Sequence, residues 1–226
     1  MRKYIVLGCV LGCLFLDRTA HGDTPDRGDN NPPKGFKRLF NGKTLEGWQG
    51  LIPINKRANM TPKARQAAQE KVNARILPHW TVRDGVLVYD GKGNSLQTVR
   101  DYRNFELMVD WKIGKGGDSG IYLRGNPQIQ IWDRKEGSGG LYNNRKNARK
   151  PLVAADNPPG QWNTFHIIMR GDRVTVKLNG KLVVNNTPLE NYWQRGRPLP
   201  ETGPIELQHH GNPLYFKNIY IKELPN

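Results

Sequence analysis

Apolar and polar positions alternate along most of the chain from Trp80 onward, in short runs separated by turn signals. Side chains of a strand point to opposite faces in turn, so each run predicts a half-buried strand. Residues 80–83 and 86–89 flank Asp84-Gly85 and predict a hairpin, as do 173–178 and 181–184 around Asn179-Gly180. Residues 95–99, 105–113, 164–169, 205–210 and 214–222 add further strands. In 105–113, Phe105, Leu107, Val109 and Trp111 share one face; Glu106, Met108, Asp110 and Lys112 share the other. Between Gly116 and Asp133 two alternating segments are joined by Gly125-Asn126-Pro127: Ile121 and Leu123 oppose Tyr122 and Arg124, and Ile129 and Ile131 oppose Gln128, Gln130 and Trp132.

The rhythm breaks at residues 51–76. Thr61-Pro62 reads as an N-cap followed by proline at the first helical position, and the next residues have helix-forming composition. One surface helix is predicted near 62–75, packed on the domain through a thin stripe of Ala64, Ala67, Ala68, Val72 and Ile76. Residues 134–160 and 186–203 are long loops, of the length that carries function or lacks order. Many short strands and one helix predict an all-β fold, a two-sheet antiparallel jelly-roll sandwich, occupying residues 35–226 as a single domain.

Composition changes this picture mainly at the N-terminus. Arg2 and Lys3 precede an apolar run from Tyr4 to Leu16, then Ala20-His21-Gly22, the pattern of a secretory signal peptide over residues 1–22. The run is shorter than the ~20 residues of a membrane span, so no stable membrane insertion is expected after cleavage. Export to the periplasm or the exterior is expected, and lipoprotein anchoring through Cys13 is the less favoured reading. Residues 23–34, rich in Pro, Asp and Asn, predict a flexible linker. Both cysteines lie in the leader, which leaves the remainder without thiolate chemistry. Cleavage takes the formal charge from +15 to +13. The cluster Arg145-Lys146-Asn147-Ala148-Arg149-Lys150 is either a solvated loop or a dock for an anionic polysaccharide. Nucleic acid is not an expected partner, because no binding motif is present and the chain reads as exported.

The candidate chemistry lies on a polar-aromatic strand face. In residues 205–210, Glu206, Gln208 and His210 share a side. If that strand joins the central pair, one face collects Tyr122, Arg124, Gln128, Gln130, Trp132, Glu206, Gln208 and His210, with Asp110 and Lys112 extending it. Taken singly, each is an ordinary solvent-facing residue. Together they offer rings for sugar CH groups and planar polar groups for hydroxyls. His210 has an ordinary pKa near neutrality and starts a turn at a strand end. His209 has the opposite parity and reads as core-facing or loop-packed. Asp118 lies in a glycine-rich bend, and Asp133 stands at the groove rim. A divalent metal among Asp118, Asp133 and the histidine is conceivable, but no spacing signature calls for a cofactor.

The blocks LFNGKTLEGW, FELMVDWKI, GGDSGIYLR, QIQIWD, GLYNN, QWNTFHIIMRGDRVTVKLNG and IELQHHGNPLYFKNIYIKEL, in that order, resemble the 3-keto-disaccharide hydrolase domain family over about 36–224. The resemblance implies a fold similar to concanavalin-like lectins and laminarinase-type glucanases. The family's Gly-Gly-Asn-Ser-Gly block matches Gly116 to Gly120 with Asp118 for Asn, and its following arginine is Arg124. Its Tyr-Glu-x-Gln-x-x-Asp strand matches with Pro127 and Gln128 for Tyr and Glu, keeping Gln130 and Asp133. Its Leu-Gln-x-His-Gly block is Leu207, Gln208, His210 and Gly211. The implied reaction on a 3-keto-glycoside is proton abstraction at C2, elimination at C1 and hydration. Here that assigns His210 as base oriented by Glu206, Arg124 as oxyanion stabiliser, and Gln128, Gln130 and Trp132 as sugar-positioning groups. Gln128 in place of glutamate leaves open binding without turnover, or catalysis through Glu206 or Asp118. The competing readings are a lectin-like binding module, a conventional glycoside hydrolase with paired carboxylates (Glu206 with Asp110 or Asp118), and an envelope-anchoring role for the basic loop.

Overall fold

The computed structural model describes residues 30–226; the expected leader and most of the expected linker lie outside the described residues. The chain runs through β1 (Lys37–Arg38), β2 (Trp48–Gly50), the short α1 (Ile54–Arg57), α2 (Pro62–Ile76), β3 (Trp80–Arg83), β4 (Val86–Tyr89), β5 (Leu96–Thr98) and β6 (Phe105–Ile113). It continues through β7 (Asp118–Tyr122), β8 (Gln128–Trp132), β9 (Asn163–Arg170), β10 (Arg173–Leu178), β11 (Lys181–Pro188), β12 (Glu206–Leu207) and β13 (Leu214–Glu223). The larger sheet has the order β11-β10-β9-β6-β13-β4-β3, with β1 also on β13; the smaller has the order β2-β5-β12-β7-β8. All pairings are antiparallel, and the architecture is the two-sheet sandwich the alternation predicts.

One core joins the two sheets. The inward residues of β6 (Phe105, Leu107, Val109, Trp111) and of β9 and β10 (Phe165, Ile167, Val174, Val176) pack in one cluster with Leu96, Ile121, Ile129, Ile131 and Leu207 of the smaller sheet. Because those smaller-sheet residues turn inward, their strand neighbours turn outward and form a second, polar face.

The helix closes the open edge of the smaller sheet. Asn73 Oδ1 accepts from the Gly50 backbone N–H (2.9 Å), and Gln69 Nε2 donates to the Gly50 carbonyl (2.8 Å), so α2 supplies partners to β2, the edge strand. Gly50 lacks a Cβ for a steric reason: one would lie 2.9 Å from Val72 and 3.0 Å from Ile76. Thr61 caps the helix by accepting from Ala64 N (3.3 Å). The stripe that packs is Ala68, Val72 and Ile76; Ala64 and Ala67 are exposed. At the opposite edge the long loop after β8 folds back, and Gly139 and Gly140 exchange backbone bonds with Gln130 (2.8 and 2.9 Å). The last residues of the expected linker are also held, since Asn30 N donates to Asn218 Oδ1 (3.0 Å) and Arg38 Nε donates to the Asn30 carbonyl (2.8 Å). Among the described residues, no helix is long and apolar enough to cross a membrane.

Candidate functional site

The register of the smaller sheet assembles the polar face. Glu206 lies opposite Tyr122 on one side and Gln97 on the other, Tyr122 lies opposite Gln128, Gly120 opposite Gln130, and Asp118 opposite Trp132. Gly120 is required there, because a Cβ would stand 2.2 Å from Gln128 Nε2. The space it leaves holds a ladder of amides. Gln128 Nε2 donates to Gln208 Oε1 (2.7 Å), Gln130 Oε1 (3.2 Å) and the Ser119 carbonyl (3.2 Å), and Gln130 Nε2 donates to Asp118 Oδ1 (2.7 Å). The side chains of Gln128 and Gln130 are 3% exposed, so this ladder is a fixed floor rather than a solvated surface.

Gln208 divides the face into two adjoining cavities. One, of about 210 Å³, is lined by Asp118, Gln128, Gln130, Trp132, Tyr142 and His210 among others. Trp132 and Tyr142 meet edge to face there with ring centroids 6.0 Å apart. The other, of about 160 Å³, holds Glu206 with Ser95, Gln97, Tyr122, Trp193 and Gln208. Glu206 is buried, and desolvation pushes its carboxyl up to about 7 against the opposing pull of a hydrogen bond from Ser95. Burial first, and then the nearby Glu206 carboxylate, push the Tyr122 phenol well above its ordinary range, so it stays a neutral hydroxyl. Gln97 beside them is 1% exposed, and neither its Nε2 nor its Oε1 has a partner among the described residues. An unpaired buried amide is costly, and a polar ligand in this cavity would satisfy it. Trp193, half-exposed, is steadied by its Nε1 donating to the Gly125 carbonyl (3.0 Å).

Several sequence expectations meet a different geometry. Arg124 does not join the face. The strand β7 ends at Tyr122, and Arg124 lies in the turn with φ +55, so alternation no longer governs its direction. Its guanidinium donates to the carbonyls of Glu201 (3.0 Å) and Gly171 (2.6 Å) at a separate cavity. Asp133 accepts from Gly116 N (2.8 Å), closing the glycine bend, and lines a cavity with Trp111 and Arg134 rather than with His210. Asp110 and Lys112 belong to the larger sheet. Asp110 accepts from Thr164 and Asn218, and Lys112 lies over Trp162 and Tyr215. Glu206 does not orient His210. The strand β12 ends at Leu207, and the two residues line different cavities with Gln208 between them. The Asp118, Asp133 and histidine set does not converge, and among the described residues no group of three His, Cys, Asp or Glu is placed to hold a metal ion. His209 is half-buried rather than core-packed and also lines the Glu206 cavity; its Nδ1 bonds the Tyr89 hydroxyl, and burial, then the neighbouring His210, hold the imidazole below its ordinary range.

The residues missed from the sequence are Ser95, Gln97, Trp193 and Tyr142. Alternation in 95–99 puts Gln97 on one face, but only the register with β12 sets it against Glu206. Trp193 comes from a loop that no periodicity describes.

The chain is 25% identical, over 84% of its length and 79% of the relative's, to a 3-keto-disaccharide hydrolase of Bacteroides thetaiotaomicron. A crystal structure of a candidate glycosyl hydrolase from Parabacteroides distasonis superposes with a TM-score of 0.62 at 27% identity, covering 85% of each chain. A second from the same organism gives 0.59 at 27%, covering 84% of this chain and 99% of that one. These similarities indicate a carbohydrate-active, hydrolase-like protein. Residues 35–222 match the 3-keto-alpha-glucoside-1,2-lyase-like domain, and the chain belongs to that family.

Proposed function

We propose that this protein is an exported enzyme that cleaves 3-keto-glycosides, with Glu206 as the base. The observation that carries the reading is the buried Glu206 carboxyl, held at about 7 in a cavity whose Gln97 amide has no partner. A carbonyl at C3 acidifies the C2 hydrogen. The Glu206 carboxylate takes that proton, and the electron pair moves onto the C3 oxygen as an enolate. Re-formation of the C3 carbonyl pushes the pair into a C1–C2 double bond and breaks the C1–O bond, and the aglycone leaves with a proton. Water then adds to the enone. A base tuned near neutrality serves such a step better than an ordinary carboxylate, because it accepts the proton with more driving force while remaining ionised at working pH. Gln97 Nε2, without a partner among the described residues, is a donor available to the enolate oxygen, and Tyr122 lines the same cavity. The His210 cavity, with Trp132 and Tyr142, takes the departing sugar, so the two cavities match the two rings of a disaccharide.

Conventional hydrolysis by paired carboxylates is less well supported. Asp118 lies four residues along β7 from Tyr122, the partner of Glu206, and the two acids line different cavities, Asp118 being hydrogen-bonded to Gln130. Export rests on the leader pattern of residues 1–22. Incubation of the purified protein with a chromogenic 3-keto-glucoside tests the reaction, because elimination releases the aglycone and exchanges the C2 hydrogen with solvent deuterium. Release from the 3-keto-glucoside alone, with Glu206→Gln inactive, is expected. Equal release from the parent glucoside would refute the mechanism, and sugar binding without release would favour a lectin-like module.

A further inference from the structure

A further cavity lies away from the polar sheet face. About 820 Å³ in volume, it lies where the turn after β7 meets the long loop after β11. Its cationic lining is Arg103, Arg124, Arg145, Lys146, Arg195 and Arg197. The acidic side chains are fewer, and two of the three are paired. Glu201 pairs with Arg103 (3.3 Å); Glu190 pairs with Arg195 (3.4 Å) and accepts the backbone N–H groups of Arg145, Lys146 and Asn147. Asp172 is the third acid in the lining. Arg145, Lys146 and Arg197 have no carboxylate partner among the described residues. The basic cluster of 145–150 is thus partly gathered around a concavity rather than spread on a solvated loop.

Arg124 makes the cavity more than a charged hollow. It is 3% exposed, and among the described residues its guanidinium is held by two backbone carbonyls only and its buried Nε has no partner. A buried guanidinium without a bound anion is expensive, and its planar fork fits a carboxylate or sulfate. Burial already draws its pKa down to about 10 despite the nearby Asp172 carboxylate. The volume far exceeds that of a free oxyanion, and Leu189, Pro198 and Leu199 give the cavity apolar wall beside the charge.

We propose that this cavity binds the carboxylate or sulfate group of an acidic saccharide, with Arg124 as its buried anchor. The loop that supplies Arg195 and Arg197 also carries Trp193 over the Glu206 cavity, so the bound saccharide and the reacting sugar share one wall. The site stands independently of the lyase reading, because binding there needs no turnover.

Titration calorimetry with glucose 6-sulfate, inorganic sulfate and glucose, at fixed ionic strength, tests it. Glucose 6-sulfate is expected to bind below about 1 mM and at least ~10-fold tighter than sulfate. The exposed double variant Lys146→Glu/Arg197→Glu, which leaves the buried anchor in place, is expected to weaken it at least ~10-fold. Arg124→Gln should abolish binding; if that variant unfolds, the double variant decides. Glu206→Gln should bind as the parent does. Equal affinity for free sulfate and the sugar sulfate would overturn the saccharide assignment. Binding unchanged in the double variant, or no binding of either anion, would overturn the site.

Discussion

Replacing Glu206 with glutamine is expected to make the protein inactive and, above neutral pH, more stable. Between its ordinary value of 4.5 and about 7, the folded state keeps a proton on Glu206 that the unfolded chain has released. The stabilisation linked to that proton is fully present below 4.5 and is lost as pH rises through 7. At about 1.36 kcal/mol per pH unit, ionising the buried carboxyl removes roughly 3 kcal/mol by pH 8. Glutamine has the same shape, can accept the Ser95 hydrogen bond and never ionises. The variant and the parent should therefore be nearly equal at pH 4 and diverge by roughly 3 kcal/mol at pH 8, in favour of the variant. Urea denaturation across that range measures it, with an unchanged slope showing that only stability has moved. Every other titrating group cancels in the difference, so a stability gap constant within ~0.5 kcal/mol from pH 4 to 8 would refute the desolvated carboxyl. With Glu206 as the proposed base, activity should rise with pH and level off above about 7, and the variant should lose ~10²–10⁴-fold.

Other perturbations address the scaffold. Gly120→Ala places a methyl 2.2 Å from Gln128 Nε2, which must swing out and break the amide ladder; a loss of ~1–3 kcal/mol in thermal melts and weaker sugar binding are expected. Trp193→Ala should weaken sugar affinity about tenfold in calorimetry while leaving urea stability within ~0.5 kcal/mol, because the ring is half-exposed and covers only the cavity mouth. Asp101→Asn leaves the buried Arg57 without its bidentate partner (2.6 and 2.7 Å) and should cost ~1–3 kcal/mol; because Arg57 belongs to α1, whose Ile54 lines the Glu206 cavity, sugar affinity should fall with it.

The sheets were legible because alternation has a physical cause that acts residue by residue. One face of each strand must leave water, and the inward residues of β6 and the outward Gln128, Gln130 and Trp132 of β8 follow from that alone. The helix was legible for another local reason, the Thr61-Pro62 start signal. Arg124 was misplaced because alternation was extended two residues beyond the end of β7, into a turn where a positive φ swings the side chain away. Asp110 was misplaced because alternation says which residues share a face of a strand but not which sheet the strand joins. Gln97 was missed for the same reason in reverse: its partner is Glu206, over a hundred residues away, and only cross-strand register brings them together.

That register also explains why one carboxyl, and not the histidine, carries the base assignment. Glu206 lies within β12 and His210 does not, and the two line different cavities. Glu206 sits on a central strand, with β5 and β7 on either side and α1 and Trp193 bordering its cavity, so water is displaced and its acidity falls. His210 lies beyond the end of β12, where the chain turns into His210-Gly211-Asn212-Pro213 and the ring is exposed. A group in that position meets a sugar at the rim. A group in the position of Glu206 meets it at the floor, beside the unpaired Gln97 amide that a keto oxygen would satisfy. If the reaction instead used His210, His210→Ala would abolish C2–H exchange and Glu206→Gln would spare it. The proposed assignment predicts the reverse: exchange lost with Glu206→Gln, and His210→Ala raising KM with exchange retained.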